Sequence, residues 1–473
     1  MWSTSTLILQ FLGALILSAF VTFLLVRHRG QIGKDAPDEH RKQHAVPISR
    51  LGGVAVFISL AFGFFILAIR LPNFINAWYP IIIANTLMFS IGFLDDLRPM
   101  GAKVKLIGQI GCALVLYSMG VSIDILSNPF GSGNLHLGWW SLPVTLLWLI
   151  AIPNIINLID GMDGLATGFG MFLCLTLAFV GHFAQKPDVV LVAMVMGGAL
   201  SGFLIFNFPP AKIFLGDGGA YLIGFFVASV SLMSNNKGSI IASLLVILVA
   251  LGIPILDTTF AIIRRAIRGM PIFRADAEHI HHRLITLGYS KAQALGAMYA
   301  VCLVLSLAGL SIMFTRGLAI PIVAALAFLL TLATARYLGY IRTWRDLRHQ
   351  VNSTLDRRRQ REYVRAHSTL LEMEVEHCPD AATYTTILQA SLNRLGLSAT
   401  PGPGLTPLRL RCIPSGVVTL YRAADDALRE EWQFRGELLE PALSAALDRW
   451  QTLPGLQLEL PDAPPIKGSL NPA

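Results

Sequence analysis

Asp95 and Asp96 close an apolar run as G-F-L-D-D, and Lys103 and Lys105 follow in the next polar stretch. Two adjacent carboxylates at the end of a membrane helix are costly unless a cation or a basic partner compensates them. Plain helix termination at the interface accounts for the acids, but not for the lysines beside them, whose charge suits a phosphate. A second cluster, N-I-I-N-L-I-D-G-M-D-G-L, runs from Asn154 to Leu165 and spaces Asn154, Asn157, Asp160 and Asp163 three apart. If helical, these side chains project from neighbouring turns of one face. Gly161 and Gly164 break the helix and let backbone approach a ligand. A calcium loop of the EF-hand type is excluded, because its D-x-D-x-D-G spacing is absent.

A third segment, N-F-P-P-A-K-I-F-L-G-D-G-G from Asn207 to Gly219, places Asp217 between glycines just ahead of an apolar run. An Asp there can hold a metal while helix N-terminal N–H groups face phosphate oxygens; an ordinary turn is the plain alternative. Hard oxygen donors and a diphosphate favour Mg²⁺ or Mn²⁺ over zinc. A fourth, D-A-E-H-I-H-H-R-L, carries His279, His281, His282 and Arg283. No Cys or fourth His stands nearby at zinc spacing, so these residues point to a bound diphosphate rather than a zinc site. Asp257, in L-D-T-T, is one more carboxylate at a span end, with a structural pair to Arg264 or Arg265 as its plain reading.

The elements that must position these groups are membrane helices. Of 473 residues, 54% are hydrophobic and only 14% charged, well below the charged share of a soluble domain. Apolar runs near 6–26, 51–69, 79–94, 104–121, 139–158, 164–183, 189–206, 220–233, 240–262, 292–314 and 318–338 approach or reach the length that spans a bilayer. The first lacks a basic leader and reads as a retained span. The net charge of +8 belongs to membrane orientation rather than to nucleic acid. Sixteen Lys and Arg fall in the connections on the C-terminal side of the membrane, and only Arg70, Lys186, Lys237 and Arg316 in the opposite ones. Positive loops mark the cytoplasm, so the N-terminus is expected outside and the C-terminus inside. Of thirteen acids before residue 339, only Asp124 and Asp188 lie on the outer side. Acids contribute little to orientation, so this bias indicates a shared polar site on the cytoplasmic face. Cys112, Cys174 and Cys302 sit inside apolar spans and imply no disulfide framework.

The expected fold is therefore an all-α polytopic membrane protein of about eleven transmembrane helices over residues 1–338, plus a small cytosolic α/β extension. Residues 339–365 read as a basic juxtamembrane helix, 366–452 as a small domain with a hairpin over Leu408–Tyr421, and the Pro-rich 453–473 as a disordered tail. Carboxylates holding a divalent cation, basic residues holding a diphosphate and a site at the membrane surface specify attack at phosphorus, with charge stabilisation as the main catalytic device. A lipid-anchored phosphate is the natural nucleophile at that depth.

These motifs resemble those of the polyprenyl-phosphate N-acetylhexosamine-1-phosphate transferases, over about residues 27–338. The similarity rests on R-K-Q-H-A-V-P-I-S-R-L-G-G (Arg41–Gly53), F-L-D-D, K-V-K-L-I-G-Q (Lys103–Gln109), N-x-x-N-L-I-D-G-M-D-G-L, F-L-G-D-G-G, L-D-T-T and H-I-H-H-R-L. The resemblance implies Asp95, Asp96, Asp160 and Asp163 at the catalytic centre, with Asp160 and Asp163 lining the UDP-sugar pocket. It implies Mg²⁺ on Asp217 with Asn157 nearby. It also implies substrate contacts by Lys42, His44, Lys103, Lys105, Asn154, Asn207, His279, His281, His282 and Arg283. The expected partners are a UDP-N-acetylhexosamine and undecaprenyl phosphate, in a bacterial inner membrane, with a homodimer compatible. Ile280 interrupts the histidine run and favours the GlcNAc branch over the MurNAc-pentapeptide one. QuiNAc and FucNAc remain alternatives that no motif separates. Gly218 departs from the Thr or Val common after the Asp. A secondary transporter is the rival class, but transporters place their acids near the midplane. A CDP-alcohol phosphotransferase is disfavoured because its D-G-x-x-A-R run is missing: Asp160-Gly161 are followed by Met162 and Asp163 but not by Ala and Arg.

Overall fold

The structure is a computed structural model that describes residues 4–28, 48–127, 133–233, 240–268, 280–315, 318–337, 359, 362–400, 405–412, 416–423 and 429–452. The chain divides into two compact units: residues 1–266 with 271–342, and residues 343–473 with 267–270. In the first unit, α1 (Thr4–Arg27), α2 (Gly52–Arg70), α3 (Phe74–Leu97) and α4 (Ala102–Ser118) lead to a short hairpin, β1 (Ile125–Ser127) with β2 (Asn134–His136). There follow α5 (Ser141–Ile159), α6 (Leu165–Phe183), α7 (Pro187–Asn207), α8 (Gly216–Met233), α9 (Ile240–Ala250) and α10 (Gly252–Arg268). The unit ends with α11 (Ile280–Thr286), α12 (Lys291–Phe314) and α13 (Ile320–Tyr337).

Among the described residues, eight helices are long and apolar enough to cross a membrane. The count of eleven needs α4, α9–α10 and α13, which are shorter or interrupted. The single span expected over 240–262 breaks at Leu251, and Pro254 supplies the reason. It has no N–H to return to the Ala250 carbonyl, which lies 3.9 Å from the Cys302 thiol instead. Large apolar side chains such as Leu9, Ile16, Ile69, Ile107 and Leu147 are exposed, as a lipid-facing surface requires. Trp139 and Trp140 stand exposed at the start of α5, the usual interfacial place for indoles.

The helix at the middle of this unit is α8. It is apolar all round, and every residue from Gly218 to Leu232 is buried, the mark of a helix with neighbours on all sides. Close crossings without large side chains let those neighbours approach. At Gly92, a Cβ would stand 2.5 Å from the Asp217 carbonyl oxygen and 2.6 Å from the Gly218 Cα. Both obstacles are backbone and cannot swing aside. Gly92→Ala is therefore expected to lower stability by about 1–3 kcal/mol and to separate the end of α3 from the start of α8. Thermal unfolding of the purified protein in detergent checks this, and an unchanged melting temperature would contradict the crossing.

The second unit contains α14 (362–376), α15 (Ala381–Arg394), α16 (Arg429–Thr452) and a three-stranded antiparallel sheet. Its strands are β3 (Leu397–Ser398), β4 (Leu405–Cys412) and β5 (Gly416–Ala423), in the order β3-β5-β4. The expected hairpin is present, with Leu408 opposite Leu420. Val364, Leu392, Leu397, Leu420, Leu439 and Leu443 form one buried core, and the Tyr384 hydroxyl donates to the Ala446 carbonyl at 2.7 Å beside another. Most of the basic segment 342–365 and all of the tail 453–473 lie outside the described residues.

Candidate active site

The site is assembled where α3, α4, α5 and α8 end or begin together. Asp95 and Asp96 occupy the last turn of α3, and Lys105 the first turn of α4. The Lys105 ammonium lies between two carboxylates, 2.9 Å from Asp95 Oδ2 and 2.9 Å from Asp217 Oδ2. The other Asp95 oxygen accepts the Met100 amide at 2.6 Å. The other Asp217 oxygen accepts from Asn157 Nδ2 at 3.0 Å. Four residues from four separate sequence motifs thus share one polar network.

Asp96 is held differently. Its Oδ1 accepts the backbone N–H of Asp217 at 2.8 Å and its Oδ2 that of Gly218 at 2.9 Å. The first N–H groups of a helix have no intrahelical acceptor, so a carboxylate from α3 caps α8. Gly216, at φ +77, turns the chain into that helix in a region L side chains avoid. The stretch before it runs beside the S-R-L-G-G motif: Phe214 N–H donates to Ser49 O, and Gly52 and Gly53 donate to Phe214 and Leu215. The motif at Ser49–Gly53 therefore fixes the height at which Asp217 enters the site.

Asn154 and Asn157 lie on α5 as expected, but the helix stops at Ile159. Asp160 is its C-cap, and Asp163 falls beyond it in the loop. The two aspartates therefore do not share a helical face, because the glycines end the helix before its next turn. Half-buried Asp160 is desolvated and faces the charges of Asp217 and Asp96, which together push its carboxyl well above the usual range. Asn154 is paired with Gln109 of α4, donating to Gln109 Oε1 at 2.7 Å. Lys103 is exposed at the α4 N-terminus.

Two of the expected site residues are taken up inside the protein. Asp163 is 7% exposed and accepts the Ala211 N–H at 3.2 Å, with Lys291 at 3.8 Å. Asn207 is 3% exposed. Its Oδ1 accepts from Gly164 N–H at 3.1 Å and the Thr167 hydroxyl at 2.8 Å, and its Nδ2 donates to the Ile213 carbonyl. Both join the 160–164 loop to the 208–215 loop. Lys42, His44 and His279 lie outside the described residues. His281 and His282 fall on α11 with Arg283, which is half-buried. Asp257 is buried and accepts the Ile280 N–H at 3.0 Å, so this carboxylate anchors the start of the His-motif helix. Lys291 and Tyr299 join the site's frame without any signal in their local sequence, and Gln109, which ends the K-V-K-L-I-G-Q motif, joins it through Asn154. Each lies in an apolar helix or at its edge.

Comparison with known proteins identifies the family. The glycosyl transferase family 4 model matches residues 78–235. A probable undecaprenyl-phosphate N-acetylglucosaminyl 1-phosphate transferase of Bacillus subtilis is 34% identical over 304 residues, which is 64% of this chain and 84% of the relative. A decaprenyl-phosphate N-acetylglucosaminephosphotransferase of Mycobacterium tuberculosis is 32% identical over 61% of this chain and 78% of its own. A phospho-N-acetylmuramoyl-pentapeptide-transferase of Halalkalibacterium halodurans is 30% identical over 59% and 88%. With these relatives and this network of acids, the chain belongs to glycosyl transferase family 4, among the polyprenyl-phosphate N-acetylhexosamine-1-phosphate transferases.

Proposed function

We propose that this membrane transferase moves N-acetylglucosamine-1-phosphate from its UDP-sugar to undecaprenyl phosphate, releasing UMP, at the cytoplasmic face of a bacterial inner membrane. The observation that carries this reading is the Lys105 ammonium held between Asp95 and Asp217. Two carboxylates from different helix ends converge on one cation, at the membrane surface, where a diphosphate and a lipid phosphate must meet. The bias of Lys and Arg toward the same connections supports the cytoplasmic side.

The donor set fits Mg²⁺. Among the described residues, no group of three His, Cys, Asp or Glu forms a ready cage. Mg²⁺ is usually held by one or two carboxylates together with substrate phosphates, and Asp217, with Asn157 at its side, meets that description. When bound, the cation neutralises charge on the diphosphate. An oxygen of the lipid phosphate attacks the sugar-bearing phosphorus, and the bond from that phosphorus to the bridging oxygen breaks, leaving UMP. Lys105 offsets the charge that builds on the non-bridging oxygens. The two aspartates of the pair divide the work. Asp96 gives both oxygens to backbone N–H groups that cannot leave, so it keeps the start of α8 in place. Asp95 gives one oxygen to the Met100 N–H and the other to the Lys105 ammonium, a side chain that a substrate can draw away, so Asp95 is the group that takes a proton from the lipid phosphate.

Full-length protein in detergent, given lipid phosphate and Mg²⁺, is expected to release UMP from UDP-GlcNAc faster than from UDP-GalNAc, UDP-QuiNAc, UDP-FucNAc or UDP-MurNAc-pentapeptide. Product mass identifies the sugar transferred. Release from none of them would remove the proposal, and preference for another would reassign the sugar.

A further inference from the structure

We propose that Tyr299, on α12, is a positioning residue that holds the loop after α5 in register for the UDP-sugar; this rests on the transfer reaction above. The Tyr299 hydroxyl donates to the Gly164 carbonyl at 2.6 Å. That carbonyl already accepts the Gly168 N–H at 3.0 Å as part of α6, so the phenol is not needed to complete the helix. It adds a fixed point from a distant element. Gly164 is gripped on its other side as well, its N–H going to Asn207 Oδ1 at 3.1 Å. One residue earlier, Asp163 faces Lys291, also on α12, at 3.8 Å. The loop that carries Asp160 is thus pinned from α7 and α12 together.

The ring of Tyr299 has a built seat. Its centroid is 5.5 Å from that of Phe172 and 6.5 Å from that of Phe169, both edge-on. The seat is closed by Gly168, where a Cβ would overlap the Tyr299 hydroxyl and ring. The fit requires glycine on α6 and tyrosine on α12 jointly. In addition, α12 begins directly after the 287–290 connection from α11, so the same helix follows the His-motif segment and clamps the Asp160 loop.

The test uses the full chain in detergent. Tyr299→Phe is expected to raise KM for the UDP-sugar about three- to tenfold, the usual weight of one buried hydrogen bond. KM for the lipid phosphate should stay unchanged, and the melting temperature should fall by no more than a few degrees. Hydrogen–deuterium exchange over residues 160–168 should rise in the same variant. Gly168→Ala is expected to impair the enzyme with Tyr299 present but to add nothing in a Tyr299→Ala background. An unchanged KM, an equal rise in KM for both substrates, or additive effects of Gly168→Ala and Tyr299→Ala would each overturn the proposal. If the wild type itself releases no UMP, the transfer reaction fails, and the exchange measurement then decides the clamp alone: faster exchange supports it and unchanged exchange refutes it.

Discussion

Asp217→Ala protein is expected to release UMP at least about 10²-fold more slowly than the wild type, the scale set by removing one preorganised electrostatic group from an active site. Two losses combine. The substitution removes the carboxylate best placed to share a divalent cation with the diphosphate. It also leaves the Lys105 ammonium with Asp95 alone and frees Asn157 Nδ2, because both now bond Asp217. Asp217→Asn separates the two, since it retains an oxygen for Asn157 but not the charge. If the charge dominates, Asn is nearly as inactive as Ala, and raising Mg²⁺ recovers part of its rate. UMP release across a Mg²⁺ titration measures this. Wild-type turnover in either variant would remove Asp217 from the metal role.

Asp96→Ala and Asp95→Ala should fail in different ways. Losing the Asp96 carboxylate strips acceptors from two backbone N–H groups at the start of α8. A donor left unsatisfied costs about 1–3 kcal/mol, so the two together should remove roughly 2–6 kcal/mol of stability along with activity. Asp96→Asn should not rescue it, because its amide nitrogen would meet an N–H. Asp95→Ala removes an ion pair and one loop hydrogen bond near the surface, so it should abolish turnover while leaving the melting temperature within a few degrees. Paired measurements of UMP release and thermal unfolding decide this. Equal destabilisation by both variants would overturn the division of roles.

Much of the molecule was legible in its residues. Composition and run length identify a multi-pass membrane protein, because twenty apolar residues in helical form have few other solvents. Asp95, Asp96, Lys105, Asn157 and Asp217 stand out because charge and amide groups at apolar span ends are costly and therefore informative. The glycines of D-G-M-D-G mark the end of α5. Such signals are local, carried by neighbours in the chain.

What tertiary structure alone decided is who shares a bond with whom. Asp95 and Asp217 meet on one lysine although 122 positions separate them in sequence, and no periodicity encodes that distance. It depends on α3 and α8 crossing at Gly92, where any side chain would hold them apart. Asp96 reads in sequence as the twin of Asp95, yet it is a helix cap, because only the fold brings the start of α8 beneath it. Asp163 reads as a catalytic acid and Asn207 as a substrate contact by residue type; only the fold shows that both are buried and bridge the 160–164 and 208–215 loops. Tyr299 is invisible in sequence for the converse reason: an aromatic in an apolar helix is unremarkable until its hydroxyl is seen to reach the loop.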